Sequence, residues 1–120
     1  MTSEELRAAC LKLPQTREEF PFPMSPGLST FKVGKKVFAF TALQESPLAV
    51  TLKCDPAIAQ QLRDTYPEIR PGFYKRLWNY VVVDGSLPTQ LVLDMIEDSY
   101  DLVVDTLPAQ QRDAIRRSAE

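Results

Sequence analysis

The residues of this chain best suited to chemistry are cations interleaved with flat rings. Lys32, Lys35 and Lys36 surround Gly34, Lys53 ends a later alternating segment, and Lys75-Arg76 lead into Trp78-Asn79. Cations set along a curve hold phosphates, and aromatic faces hold nucleobases. Tyr74 and Trp78 supply rings next to Lys75 and Arg76. The pattern fits a polyanion-binding surface. The plainer alternative is that the lysines solvate a hairpin edge and block sheet-to-sheet association, with the rings in the core.

Other chemistry has less support. Asp94, Glu97, Asp98, Asp101 and Asp105 fall on one stripe of a helical segment. They would dock a basic partner, hold a hard cation loosely, or simply solvate an outer helix face. The chain has no His, which removes the commonest general base and the commonest metal ligand. It has no nucleophile elbow, P-loop, dinucleotide fingerprint or paired-Cys metal spacing. Ser99 has no base to activate it and lies on the packed side of its helix by phase. Cys10 reads as a small buried hydrophobe. Cys54 stands before Asp55-Pro56 at the mouth of a helix, where a thiolate gains stability, but a plain buried thiol is the simpler reading. The expectation is no enzyme, no catalytic residue, no metal site and no cofactor.

A net charge of −2 at pH 7 argues against a generic nucleic-acid coat, but the charges are unevenly spread. From Lys32 to Arg76 the cations Lys32, Lys35, Lys36, Lys53, Arg63, Arg70, Lys75 and Arg76 face only Glu45, Asp55, Asp64 and Glu68. After Arg76 acids dominate. A molecule basic on its sheet side and acidic on one helix is expected. The start Thr2-Ser3-Glu4-Glu5 is the opposite of a secretory n-region, and no apolar run approaches membrane-spanning length. A cytoplasmic protein with reduced thiols and no membrane contact is the expectation.

The elements that position these residues follow from spacing. Thr2-x-x-Glu5 reads as a capping box, and Leu6, Ala9, Cys10 and Leu13 recur at helical spacing until Pro14. Gln15 to Ser29 reads as a proline-rich loop pinned by Phe20 and Phe22. Phe31-Lys32-Val33 and Val37-Phe38-Ala39-Phe40 form a hairpin around Gly34-Lys35. Leu48 to Lys53 alternates as a strand with one half-buried face. Asp55-Pro56 caps a helix with Ile58, Leu62 and Tyr66 inward. Arg70 to Asp84 reads as one strand. A third helix opens at Leu87-Pro88-Thr89 and ends before Pro108, and a short polar helix follows from Gln110. The order α-β-β-β-α-β-α-α predicts one α+β domain over residues 1–120, an antiparallel sheet with helices on one face.

Four segments, in order, resemble the MmcQ/YjbR family. Phe31-Lys32-Val33-Gly34-Lys35-Lys36-Val37-Phe38-Ala39 is similar to its "F-K-V-G-G-K-x-F-A" hairpin, and Leu52-Lys53-Cys54 to its "L-K-C" strand end. Pro71-Gly72 through Lys75-Arg76-x-Trp78-Asn79 resembles "P-G-x-x-x-x-K-x-x-W", with a shorter stretch before the Trp. Ser99-Tyr100-Asp101-Leu102-Val103 resembles "S-Y-x-L-V". The resemblance implies a CyaY/frataxin-like fold and a double-wing arrangement of hairpins that binds DNA. The implied contact residues are Lys32, Lys35, Lys36, Lys53, Lys75, Arg76, Trp78 and Asn79. Frataxins handle iron through an acidic first helix and strand edge. Only Glu4 and Glu5 stand on the first helix here, so that function does not transfer.

The expectation is therefore a monomeric DNA-binding protein that contacts phosphates weakly through basic hairpins. The alternatives are a protein-interaction adaptor working through the acidic third helix and, ranked last, frataxin-like metal handling.

Overall fold

The computed structural model describes residues 1–72 and 76–118. Helix α1 (Ser3–Leu11) starts where the sequence predicts. The Thr2 hydroxyl accepts from Glu5 N at 3.1 Å, and the Glu5 carboxylate accepts from Thr2 N at 3.0 Å. The chain continues through β1 (Thr16–Glu19), β2 (Leu28–Val33), β3 (Lys36–Ala42) and β4 (Ala49–Lys53). Then come α2 (Pro56–Thr65), β5 (Ile69–Pro71), β6 (Trp78–Val82), α3 (Thr89–Asp105) and α4 (Ala109–Ser118). The strands form one antiparallel sheet in the order β1-β2-β3-β4-β6-β5. This is the predicted α+β layering, with two more strands than the sequence suggests.

The first extra strand is β1, inside the segment read as a loop. Thr-Arg-Glu-Glu has no apolar alternation, so its strand signal is absent from the sequence. It is held by pairing with β2 and by Glu18. Glu18 accepts from Arg7 Nε at 2.9 Å and Nη2 at 2.7 Å, and from the Ser29 hydroxyl at 2.7 Å. Phe20 and Phe22, expected to pin this segment, are about half exposed. The second extra strand comes from the stretch read as one strand, which is a hairpin of β5 and β6. Pro71 ends β5, because proline has no N–H for further pairing. Gly72 N then donates to Trp78 O at 2.9 Å. A Cβ at Gly72 would sit 3.0 Å from the Thr51 methyl, a tight approach that glycine avoids.

The register alternation sorts the sheet into two faces. Phe31, Ala39, Leu52 and Asn79 oppose one another across four strands, as do Val50, Val81 and Ile69. These pack toward the helices, with Leu6, Val92, Ile96, Tyr100 and Val103 in the same core. Helix α2 buries Ala59, while Ile58, expected on its inner stripe, is 51% exposed. The stripe is rotated because α2 meets the sheet at its β5–β6 edge, with Asn79 below it.

A bulge in β3 decides where two aromatics go. Phe31 opposes Ala39 but Lys32 opposes Val37, so Phe38 has no partner across the ladder. Its free carbonyl accepts from the Ser99 hydroxyl at 2.7 Å. Its ring meets Tyr100 edge-on, with centroids 5.5 Å apart. Ser99 is buried on the packed side of α3, as its phase predicts. The bulge sends Phe38 into the core and leaves Phe40 on the opposite face. At the β2–β3 turn Gly34 takes φ +61°, with Leu107 against it, which is the predicted glycine bend.

Candidate nucleic-acid interface

The helices leave the second face of the sheet uncovered. The residues that alternate onto it are Arg17 and Glu19 from β1, Lys32 from β2, Phe40 from β3, Lys53 from β4, Trp78 and Tyr80 from β6, and Arg70 from β5. Small residues form its floor: Thr30, Ala49 and Thr51 are buried. Phe40, Trp78 and Tyr80 stand partly exposed above them. Phe40 and Trp78 come from strands separated by β4, yet their ring centroids are 5.3 Å apart at an interplanar angle of 55°. The two rings therefore lean together over Thr51. Lys53 pairs across the ladder with Trp78, and its ammonium lies 6.0 Å from the Trp78 ring centre.

Charge on this face is mainly positive. Glu19 is its one acid among the described residues in register, and it is shared by Lys32 at 3.4 Å and Arg17 at 3.8 Å. Lys53 and Arg70 take no carboxylate partner among the described residues. The acids of α3 lie on the other side of the sheet. Gln90 donates to Asp94, and Asp105 pairs with Arg116 at 2.6 Å. Partial burial first, then Glu97, Asp98 and Asp105, push the Asp101 carboxyl above the usual aspartate range.

The predicted contact residues separate in the structure. Lys32, Lys53 and Trp78 share the open face. Lys35 is exposed at the β2–β3 turn, and Arg76 is exposed before β6. Lys36 turns to the helix side, where its ammonium donates to the Thr106 hydroxyl at 3.0 Å. Asn79 is a correction: it is 2% exposed and faces the helices. Its Oδ1 accepts from Arg63 at 3.1 Å, and its Nδ2 donates to Ala59 O at 3.3 Å. Its register opposite Leu52 turns it away from Trp78. Lys75 and Tyr74 lie outside the described residues.

Five residues of this face were missed as contacts, Arg70 among them, which faces outward opposite Tyr80. Phe40 was hidden by the bulge, Arg17 and Glu19 by the unread β1, and Tyr80 by the merging of β5 with β6. Its spacing of two from Trp78 was the available signal for Tyr80.

Both cysteines are free thiols, Cys10 buried and Cys54 partly so. Burial pushes Cys10 up to about 12, with Glu18 adding to the shift. Burial, then Asp55 and Asp98, also raise Cys54 despite its place before α2. Among the described residues no helix is long and apolar enough to cross a membrane.

Comparison with known proteins gives the same frame throughout. The YjbR family model matches residues 11–102. The chain is 31% identical to the uncharacterized protein YjbR of Escherichia coli strain K12, over 93% of this chain and 95% of the relative. It is 30% identical to the uncharacterized protein YbdF of Escherichia coli O157:H7, over 94% and 93% of the two chains. The crystal structure of Deinococcus radiodurans protein DR2400 is similar with a TM-score of 0.87 and 33% identity, over 95% of this chain and 87% of that one. A Pseudomonas syringae protein at 23% identity shares the fold, with a TM-score of 0.73 over 85% of this chain and 98% of that one. The match to the family model, together with relatives aligned along nearly their full length, establishes that this chain belongs to the YjbR family.

Proposed function

We propose that this protein binds single-stranded nucleic acid, weakly and without marked sequence preference, across the open face of its sheet. The observation that carries the reading is the Phe40–Trp78–Lys53 cluster on the face that no helix covers. A single strand offers unstacked bases to rings and phosphates to cations, and it needs both on one surface. A duplex hides its base faces and would use the cations alone. The sheet is about 24 Å wide from β1 to β5, at ~4.8 Å per strand, so Arg17 and Arg70 bracket the rings at its two edges. This reading keeps Lys32, Lys53 and Trp78 from the sequence pattern and moves the centre of the site from the hairpin tip to the sheet face.

Trp78 is the only tryptophan, so its emission reports the site directly. Titration with an oligothymidylate of about 15 nucleotides is expected to quench that emission, with the matching duplex bound more weakly. Unchanged emission at low salt, or tighter binding of the duplex, would refute the proposal.

A further inference from the structure

On the helix side of the sheet, a cleft of about 330 Å³ opens between α2 and α3. Leu52, Ile58, Leu62, Met95 and Leu102 give it apolar walls, and Asn79 and Cys54 lie within it. Ile58 exposes half of its aliphatic surface here, on a helix that has only ten residues to bury. Four aspartates and one cation, Lys53, border the cleft. Asp98 and Asp101 stand on the α3 side, Asp105 one turn further on, and Asp55 at the start of α2. Asp55 is occupied in accepting from Ala57 N and Ile58 N, and Asp105 in pairing with Arg116. Asp98 and Asp101 have neither a hydrogen bond nor an ion pair among the described residues. The nearby cations are engaged elsewhere: Lys53 reaches across to Trp78, and Arg63 holds Asn79 and Gln60.

A concave apolar site with a few convergent polar groups is the usual form of a small-molecule site, and this one is at the small end of the range. We propose that the cleft binds a small organic cation, an ammonium or guanidinium group carried on an apolar body of about ten non-hydrogen atoms. The body fills the space between Ile58, Leu62, Met95 and Leu102. The cationic head lies at the α3 rim, between Asp98 and Asp101. The size follows from the cleft volume at ~30 Å³ per atom-sized unit. The sign follows from the two carboxylates that make no ion pair among the described residues. Partial burial first, and then Glu97, Asp98 and Asp105 against Arg116, raise the Asp101 carboxyl there. This site lies on the helix side of the sheet, meets the open face only through Lys53, and does not depend on the nucleic-acid reading.

The test uses three probes of one shape and different charge: phenylbutylamine, phenylbutanol and phenylbutyrate. Each is titrated into the full chain while the methyl signals of Ile58, Met95 and Leu102 are followed by NMR. The amine is expected to move all three residues and to bind about tenfold more tightly than the alcohol, with the acid weakest. In the Asp98→Asn/Asp101→Asn double variant, the amine is expected to fall to the alcohol's affinity. Folding of that variant is read from the same spectrum. Equal affinity for amine and acid, an amine whose advantage survives the double variant, or shifts that spare the methyls would overturn the proposal. An arginine-bearing peptide that moved these methyls at lower concentration than the amine would also overturn it, in favour of a protein partner.

Discussion

Replacing Lys53 by Ala should change how nucleic-acid affinity depends on salt, and by an amount the sheet face fixes. Arg17 and Lys32 share Glu19, so that trio presents one net positive charge. Lys53 and Arg70 each add one. The face thus neutralises about three phosphates, which for a single strand predicts a slope of log K against log salt of about −2.1. Removing Lys53 should reduce it to about −1.4. A fourfold rise in salt would then weaken the native protein about eighteenfold and the variant about sevenfold. The assay is fluorescence anisotropy of an end-labelled oligothymidylate, which avoids reading the altered surroundings of Trp78. Lys36→Ala is the control, because its ammonium is spent on Thr106 on the helix side. Its slope should match the native one. A native slope near zero, or a Lys36 variant that flattens the slope as much as the Lys53 variant, would refute the placement of the site on the open face.

Other consequences are simpler to state. Trp78→Ala should weaken single-strand binding about 5- to 150-fold, from ~1–3 kcal/mol of lost stacking, and anisotropy against the native protein measures it. Phe40→Leu should lose part of that and stay folded. Glu18→Gln should lower stability by about 2 kcal/mol, because it removes the charge that Arg7 and Ser29 bond. For a chain of this length that is about 8 °C in Tm by calorimetry. Burial alone would raise the Glu18 carboxyl, but the hydrogen bonds from Arg7 and Ser29 outweigh it and hold the group below the usual glutamate range. Its contribution is therefore present above the ordinary glutamate value and lost as pH falls through the lowered one. The Gln variant should show a smaller loss of Tm over that acid range than the native protein. Ser99→Ala should cost ~1–3 kcal/mol by leaving the Phe38 carbonyl of the bulge unbonded, measurable by urea unfolding with little change in slope.

What the sequence exposed and what it hid have separate physical causes. The helix ends were legible because they are written in local chemistry: Thr2 with Glu5, Asp55 with Pro56, and Pro88 before Thr89. The core side of α3 was legible because it repeats at helical spacing over 17 residues. Strand β1 was not, since Thr16–Glu19 is stabilised by a neighbour and by an ion pair to α1 rather than by its own pattern. The bulge at Phe38 was not, because two aromatics spaced by two residues read as one face. Only the register between β2 and β3 shows that they part. For the site, residue types were visible and sidedness was not. Lys36 and Asn79 are of the right type for contact with nucleic acid but turn toward the helices, and that depends on pairing partners distant in sequence.

The net negative charge does not oppose a polyanion at this face, as the separation of charges shows. The carboxylates of α3 lie beyond the sheet and the helix axis, about 20 Å from a strand on the open face, taking ~10 Å from sheet to helix and the helix's own outer half. At that distance in water each carboxylate–phosphate pair repels by about 0.2 kcal/mol before screening. With a Debye length of ~8 Å at physiological salt, less than about a tenth of that survives. A lysine about 4 Å from a phosphate gains about 1 kcal/mol in water. One local cation therefore outweighs all the distant acids together, so the sign of the surface that meets the ligand decides binding and the sign of the whole protein does not. The acids of α3 instead govern their own side of the molecule. There Asp98 and Asp101 stand over an apolar cleft on the helix side of the sheet. One sheet thus separates a mainly positive face from the carboxylates of α3.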